Sequence, residues 1–170
     1  MSNKDHEIKV GLICEAGGPL KQLQLIEEGL EEFDRFYVTY QTNATKNVDG
    51  YLLTKQYQKA AASLVNSQLN IKKLLAFVYL PIVLVKCFTI LLRERPDVII
   101  STGDLTIAGP FFVVGKLLGI RTIFIESIGQ FEGPSTAGRV LEPFTNRLLV
   151  QNEETFNTHV DIAEYYGGIF

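Results

Sequence analysis

Arg93-Glu94-Arg95-Pro96-Asp97-Val98-Ile99-Ile100-Ser101-Thr102-Gly103, then Asp104 to Leu118, then Gly119-Ile120-Arg121-Thr122-Ile123-Phe124-Ile125-Glu126-Ser127, is the stretch that decides the fold. Two short apolar runs rich in β-branched residues flank a segment with helical periodicity, which predicts strand, helix, strand. The runs are continuous rather than alternating, so both faces of each strand are buried, as in a parallel sheet. Pro96 restricts Arg95 and ends the preceding helix. Ser101, Thr102 and Gly103 then fall at the carboxyl end of one strand, with Glu126 and Ser127 at the carboxyl end of the next. Open parallel sheets place their ligand crevice along that edge.

Working outwards, Ile8 to Cys14 reads as the first strand, Glu15-Ala16-Gly17-Gly18-Pro19 as a tight turn, and Leu20 to Glu32 as a helix with Leu20, Leu23, Ile26 and Leu30 on one face. Pro19 suits a first helical turn, where its missing N–H costs nothing. Phe36 to Tyr40 is a second strand, Gln41 to Gly50 a polar loop, and Tyr51 to Thr54 a short third strand. On the carboxyl side, Ile128 to Gly138 is a loop, Thr136 to Glu142 a short helix and Arg147 to Gln151 a last strand, with Glu153-Glu154 at a solvated helix start. The fold class is α/β: a Rossmann-like parallel sheet with helices on both faces, spanning residues 1–170 as one domain.

Leu74 to Leu92 is apolar except for Lys86 and Thr89, with Lys72 and Lys73 before it and Arg93 and Arg95 after it. A helix of that length is ~28 Å long, close to the hydrocarbon thickness of a bilayer. A span would put the strands before and after it on opposite sides of the membrane, where they could not share a sheet. Pro81 and Lys86 also oppose spanning. Two readings stay open: a long buried crossover helix, or an interfacial helix that presents Phe77, Leu80, Leu84 and Phe88 to a membrane surface.

The hydrophobic content of 46% supports a full core, and the net charge of −3 without a basic run excludes nucleic acid as the main partner. Cys14 and Cys87 sit in apolar runs with no disulfide framework or zinc spacing. The polar stretch Met1 to Glu7 does not read as a signal peptide. His6 and His159 lie in polar segments without ligand company, and no Asp-x-Asp pair occurs, so neither a metal site nor a cofactor is expected.

Glu94 to Gly103, Pro110-Phe111-Phe112, Gly115 to Gly119 and Ile125-Glu126-Ser127, with Leu148 to Gln151 and Gly167-Gly168-Ile169-Phe170, together resemble a known family. It is the PssD-type bacterial polysaccharide biosynthesis proteins, related to the membrane-anchoring half of the eukaryotic split N-acetylglucosaminyltransferase. More distantly, the chain is similar to the amino-terminal domain of MurG-type transferases. The resemblance implies the amino-terminal half of a GT-B glycosyltransferase, docked peripherally or monotopically on the cytoplasmic face of a membrane. It also implies a second chain that carries the nucleotide-sugar site and a lipid-linked sugar acceptor in polysaccharide or oligosaccharide assembly. The family commonly carries Ser-Gly-Gly-His after its first strand, whereas this chain has Ala16-Gly17-Gly18-Pro19. A proline side chain neither transfers a proton nor donates a hydrogen bond, so no catalytic role carries over there.

The expected acceptor or phosphate site is Gly17, Gly18, Ser101, Thr102, Gly103, Glu126 and Ser127, with Glu126 the one catalytic candidate. The competing structural readings are a tight turn at Gly17-Gly18, a helix cap at Thr102 or Asp104, and a loop-holding Glu126. Tyr165, Tyr166, Ile169 and Phe170 form an aromatic tail that packs as an edge strand or, as the resemblance favours, docks a partner. The rival functions are a self-sufficient small nucleotide-binding transferase and a binding module without chemistry.

Overall fold

The computed structural model describes residues 7–54, 57, 72–130, 133–158 and 162–168. Its strands are β1 Lys9–Cys14, β2 Asp34–Tyr40, β3 Gly50–Leu53, β4 Val98–Thr102, β5 Arg121–Ile125, β6 Arg147–Val150 and β7 Ala163–Tyr165. Its helices are α1 Gly18–Glu27, α2 Lys72–Glu94, α3 Leu105–Leu117, α4 Thr136–Leu141 and α5 Glu153–Thr158. The strands form one seven-stranded sheet in the order β3-β2-β1-β4-β5-β6-β7. Every pair is parallel. All the carboxyl ends therefore share one edge, and the order reverses between β1 and β4.

The strand–helix–strand reading of residues 98–127 holds, and so do the first three strands. Helix α1 starts two residues before the expected Leu20, because Pro19 occupies its first turn, and it gives way at Glu28 to a 3-10 turn ending at Leu30. The helix start expected at Glu153-Glu154 is the start of α5, and of the two readings of the aromatic tail the edge strand is seen in β7, up to Tyr165.

Each face of the sheet carries its own cluster. On one face Ile13, Val38, Ile99 and Phe124 pack under α2, α3 and α4, with Val83, Cys87, Ile90, Leu91, Ile107, Phe111 and Phe112 from the helices. On the other face Val10, Leu12, Cys14 and Ile100 pack under Leu20 and Leu23 of α1. Helix α2 thus contributes real core, which satisfies the crossover reading for its second half. Strands β1–β3 before it and β4–β7 after it belong to a single sheet, as the topological argument required. Among the described residues, no helix is long and apolar enough to cross a membrane.

The amino edge is held by charge. Lys9 Nζ lies 2.8 Å from Glu94 Oε2 and 3.0 Å from Asp34 Oδ2, and the Tyr51 hydroxyl donates to Glu94 Oε1. One cluster so links β1, β2, β3 and the end of α2. The hydrogen bonds from Lys9 and Tyr51 hold the Glu94 carboxyl below its ordinary range. A depressed carboxylate pKa gives stability that is complete above the unfolded value of ~4.3 and is lost as pH falls through the folded value. Glu94→Gln is therefore expected to flatten the fall of the thermal midpoint below about pH 4.5. Melting curves of the two proteins across that range check it, and parallel slopes would contradict it.

Candidate functional site

The reversal of strand order between β1 and β4 sets the crevice, because the loops leaving those strands diverge to opposite sides. Cys14 pairs with Thr102 across it. Gly17, at φ 113, turns the chain from β1 into α1 and precedes a helix that has no side-chain cap. That backbone geometry suits glycine alone. Gly17 and Gly18 are exposed, and nothing stands within 4 Å of where a side chain would project from either. The N–H groups of this first turn are thus presented at a helix start, with Pro19 contributing none.

From β4, Thr102 is fully buried and its hydroxyl donates to the Pro19 carbonyl at 2.9 Å. Gly103, at φ 92, lies against the Pro19 ring, whose Cγ would be 3.2 Å from an added Cβ. The two loops are latched to each other across the switch point. Asp104 is the cap of α3, accepting from the Thr106 N–H at 2.9 Å and from the Thr106 hydroxyl. Of the two residues weighed as the cap, Asp104 takes the role and Thr102 makes the latch. Ser101 points to the opposite face from Thr102; it is fully buried, and its hydroxyl has no hydrogen-bond partner among the described residues. Burial pushes the nearby Cys14 thiol up to about 12, so it is protonated and inert at neutral pH.

From β5, Glu126 is 1% exposed. Its Oε1 accepts from the Ser135 N–H at 3.0 Å, and its backbone carbonyl accepts from Gln151 Nε2 at 2.7 Å. Gly138 on α4 leaves the space for this carboxylate. The observed contacts of Glu126 are those of a loop-holding residue. Ser127 stays half-buried, beside Gly129. Gln130 extends the fastening, its carbonyl accepting from the Asn152 side chain and from the Thr155 hydroxyl at 2.8 Å.

The crevice therefore gathers the residues expected there but divides them. Gly17, Gly18, Gly103 and Ser127 reach solvent, whereas Ser101, Thr102 and Glu126 are buried behind them. Asn152 and Gln151 at the end of β6 join the rim without having been foreseen, since an Asn or Gln after a strand carries no signal of its own. No histidine lies among the described residues, and no cluster suited to a metal ion occurs there. A separate cleft of about 710 Å³, lined by Val98, Ile123, Arg121 and Arg147, sits at the amino edge, away from the strand carboxyl ends.

Thr102→Val keeps the side-chain shape and removes the latch donor. It is expected to cost about 1 kcal/mol, one net hydrogen bond, read as a shift in urea midpoint at unchanged slope. An unchanged midpoint would return Thr102 to a ligand role.

Of the other expected contacts, Phe88 is 44% exposed and Leu84 half-buried on α2. The side chains of Phe77 and Leu80 lie outside the described residues. Tyr165 ends the edge strand β7, paired with Val150 in parallel register, and Tyr166 just beyond it is 79% exposed. The tail thus packs as an edge strand up to Tyr165. Ile169 and Phe170 lie outside the described residues.

No family model matches the chain. An 82-residue stretch is 33% identical to UDP-N-acetylglucosamine transferase subunit ALG14 of Candida albicans, covering 45% of this chain and 37% of that protein. MurG of Acinetobacter baumannii superposes with a TM-score of 0.67 at 14% identity, over 93% of this chain and 44% of that one. The fold is that of one half of a GT-B enzyme. UDP-GlcNAc 2-epimerase of Methanocaldococcus jannaschii, solved with UDP-GlcNAc and UDP, gives 0.65 at 16% identity, over 95% of this chain and 47% of that one. The chain covers less than half the length of each of these proteins. Its sequence likeness is to a transferase subunit, and its GT-B-like architecture agrees with that.

Proposed function

We propose that the chain is the acceptor-side subunit of a two-chain glycosyltransferase, working at the cytoplasmic face of a membrane. A second chain supplies the nucleotide-sugar site, and a lipid-linked sugar is the acceptor in polysaccharide or oligosaccharide assembly. The observation that carries this reading is the likeness to a transferase subunit, laid on a fold that matches one half of GT-B enzymes. The chemistry of the rim supports it. The first turn of α1 offers backbone N–H groups to an acceptor phosphate at Gly17 and Gly18, with Gly103 and Ser127 beside them. The rim's described side chains supply no imidazole to remove a proton from the acceptor hydroxyl, and the Glu126 carboxylate is buried against Ser135. The general base is then a group of the second chain. The exposed Tyr166, with Tyr165 at the end of β7, is an aromatic anchor for that partner. The exposed side of α2 attaches the assembly to the membrane.

The test is co-expression. The chain alone, a candidate partner alone and both together are assayed for sugar transfer from UDP-N-acetylglucosamine to a lipid-phosphate acceptor in isolated membranes. Activity only in the combined sample is the expected result. Activity of this chain alone would establish a self-sufficient transferase. A stable complex without transfer would leave a binding module.

A further inference from the structure

The two faces of the sheet are covered unequally. Helices α2, α3 and α4 pack on one face, while α1, on the other, lies over β1 and β4. An interior parallel strand is ordinarily covered on both faces. On the α1 side, however, Val98 and Ile123 are only half-buried. They line the amino-edge cleft of about 710 Å³, a size usual for a small-molecule site. Strands β4 and β5 are five residues each, which puts this cleft about 15 Å from the rim at Gly103 and Ser127.

The walls of the cleft are aliphatic. Ile8, Val98, Leu118, Ile120 and Ile123 form them, with no aromatic ring among the described lining residues. The polar groups are mainly donors. Arg121 stands opposite Val98, and Arg147 opposite Ile123, in the register of the sheet. Arg121 and Ile123 are two residues apart on one strand, so both arginines project on the same face as diagonal neighbours. Among the described residues the Arg121 guanidinium has no hydrogen-bond or ion-pair partner. Arg147 Nη1 lies 3.1 Å from Glu164 Oε2, but the arginine side chain stays 60% exposed, so this pair holds it weakly. Asn146 Oδ1 accepts from the Thr122 N–H at 2.9 Å, which leaves the amide nitrogen as a further donor. The described carboxylate of the lining, Asp97, accepts from the Lys9 N–H at 2.9 Å.

We propose that this cleft binds an alkyl phosphate monoester, with the head held by Arg121, Arg147 and the Asn146 amide and the chain laid over Ile8, Val98 and Ile123. A guanidinium fork meets phosphate oxygens two at a time, and two forks match the two charges of a monoester. Aliphatic walls favour a hydrocarbon body over a nucleobase, which is held by stacking on aromatic rings. The site is separate from the acceptor rim, and it does not depend on the transferase reading.

Calorimetric titration of the full chain with octyl phosphate, below its micelle concentration, tests the assignment without partner or sugar donor. One-to-one binding is expected. Hexyl phosphate should bind roughly ten-fold more weakly, since each buried methylene is worth about four-fold. Inorganic phosphate and octanol each lack half of what the cleft recognises, and both should bind far more weakly than octyl phosphate. Arg121→Gln should weaken octyl phosphate roughly ten-fold. Glu164→Gln releases Arg147 and should strengthen it about two-fold. These opposite signs locate the ligand at the amino edge. Melting curves check that each variant folds, and if Arg121→Gln does not, the gain in Glu164→Gln decides.

Binding indifferent to both substitutions would put the ligand elsewhere and overturn the site. Inorganic phosphate binding as tightly as octyl phosphate would leave a bare anion site and remove the alkyl chain from the proposal. Binding of uridine monophosphate but not of octyl phosphate would make the cleft a nucleotide site. No binding of any of these compounds would end the proposal and leave the transferase reading untouched.

Discussion

Gly138→Ala is expected to lower stability by about 3 kcal/mol, a loss usually reserved for damaged cores. An added Cβ would overlap Glu126 Oε1, which is buried and held by the Ser135 N–H. The carboxylate has to leave that position, breaking the bond to Ser135 and disturbing the loop between β5 and α4. For a chain of this size the change is about 9 °C in thermal midpoint. The cause is specific enough to be tested by a cycle. Glu126→Ala alone leaves the Ser135 N–H without its acceptor and should cost about 1–2 kcal/mol. With the carboxylate gone, the alanine at 138 has room. The double variant should therefore lose at least about 1 kcal/mol less than the sum of the singles. Additive losses would show that Gly138 matters for another reason. A full-strength fold with lost transfer activity in Glu126→Gln would restore Glu126 as a catalytic candidate.

Gly103→Val carries the second large effect. Its φ of 92 is unfavourable for any side chain, and a β-branched one adds contact with the Pro19 ring. The expected cost is about 2–3 kcal/mol. If the latch between Pro19 and Thr102 aligns the α1 start with the β4 loop, activity of the assembled enzyme should fall further than stability explains, and Thr102→Val should fall in the same direction by less. Measuring transfer well below each variant's midpoint separates the two effects. Activity that tracks only the folded fraction would confine the latch to a structural role.

The architecture was legible in the sequence where burial is two-sided. Val98-Ile99-Ile100 and Thr122-Ile123-Phe124-Ile125 are continuous apolar runs that only an interior strand requires, and the helical pattern from 105 to 117 fits between them. Strand β7 was harder, because Ala163-Glu164-Tyr165 is three residues long, lacks a β-branched residue and sits at an edge where one side is solvent. The candidate site was legible as a place and not as a set of contacts. Strand ends are fixed by pattern, so Ser101 to Gly103 and Glu126 fall where expected. Their partners are not local. Thr102 reaches a carbonyl 83 residues earlier, and Ser135 meets Glu126 only through a loop whose path no periodicity encodes. The long apolar helix was ambiguous for a physical reason as well. The same composition serves Val83 and Cys87 in the core and Val85 and Phe88 outside it, and only the packing against the sheet tells the two sides apart.

The central pair of the sheet joins strands made far apart in time. Lys9 N–H donates to Asp97, 88 residues later, and β1 has no neighbour on its β4 side until Val98 to Thr102 have left the ribosome. Closing so long a loop is entropically costly before any contact rewards it, which makes folding slow. Helix α2 is synthesised before α3, the helix it packs against, so part of its inner face then lacks cover. For that interval the helix shows apolar residues on two sides, with Lys86 and Arg93 at one border between them. A chaperone or membrane surface that meets the growing chain therefore meets a different molecule from the folded one, and folding is what turns a generally sticky helix into one with a single outward stripe.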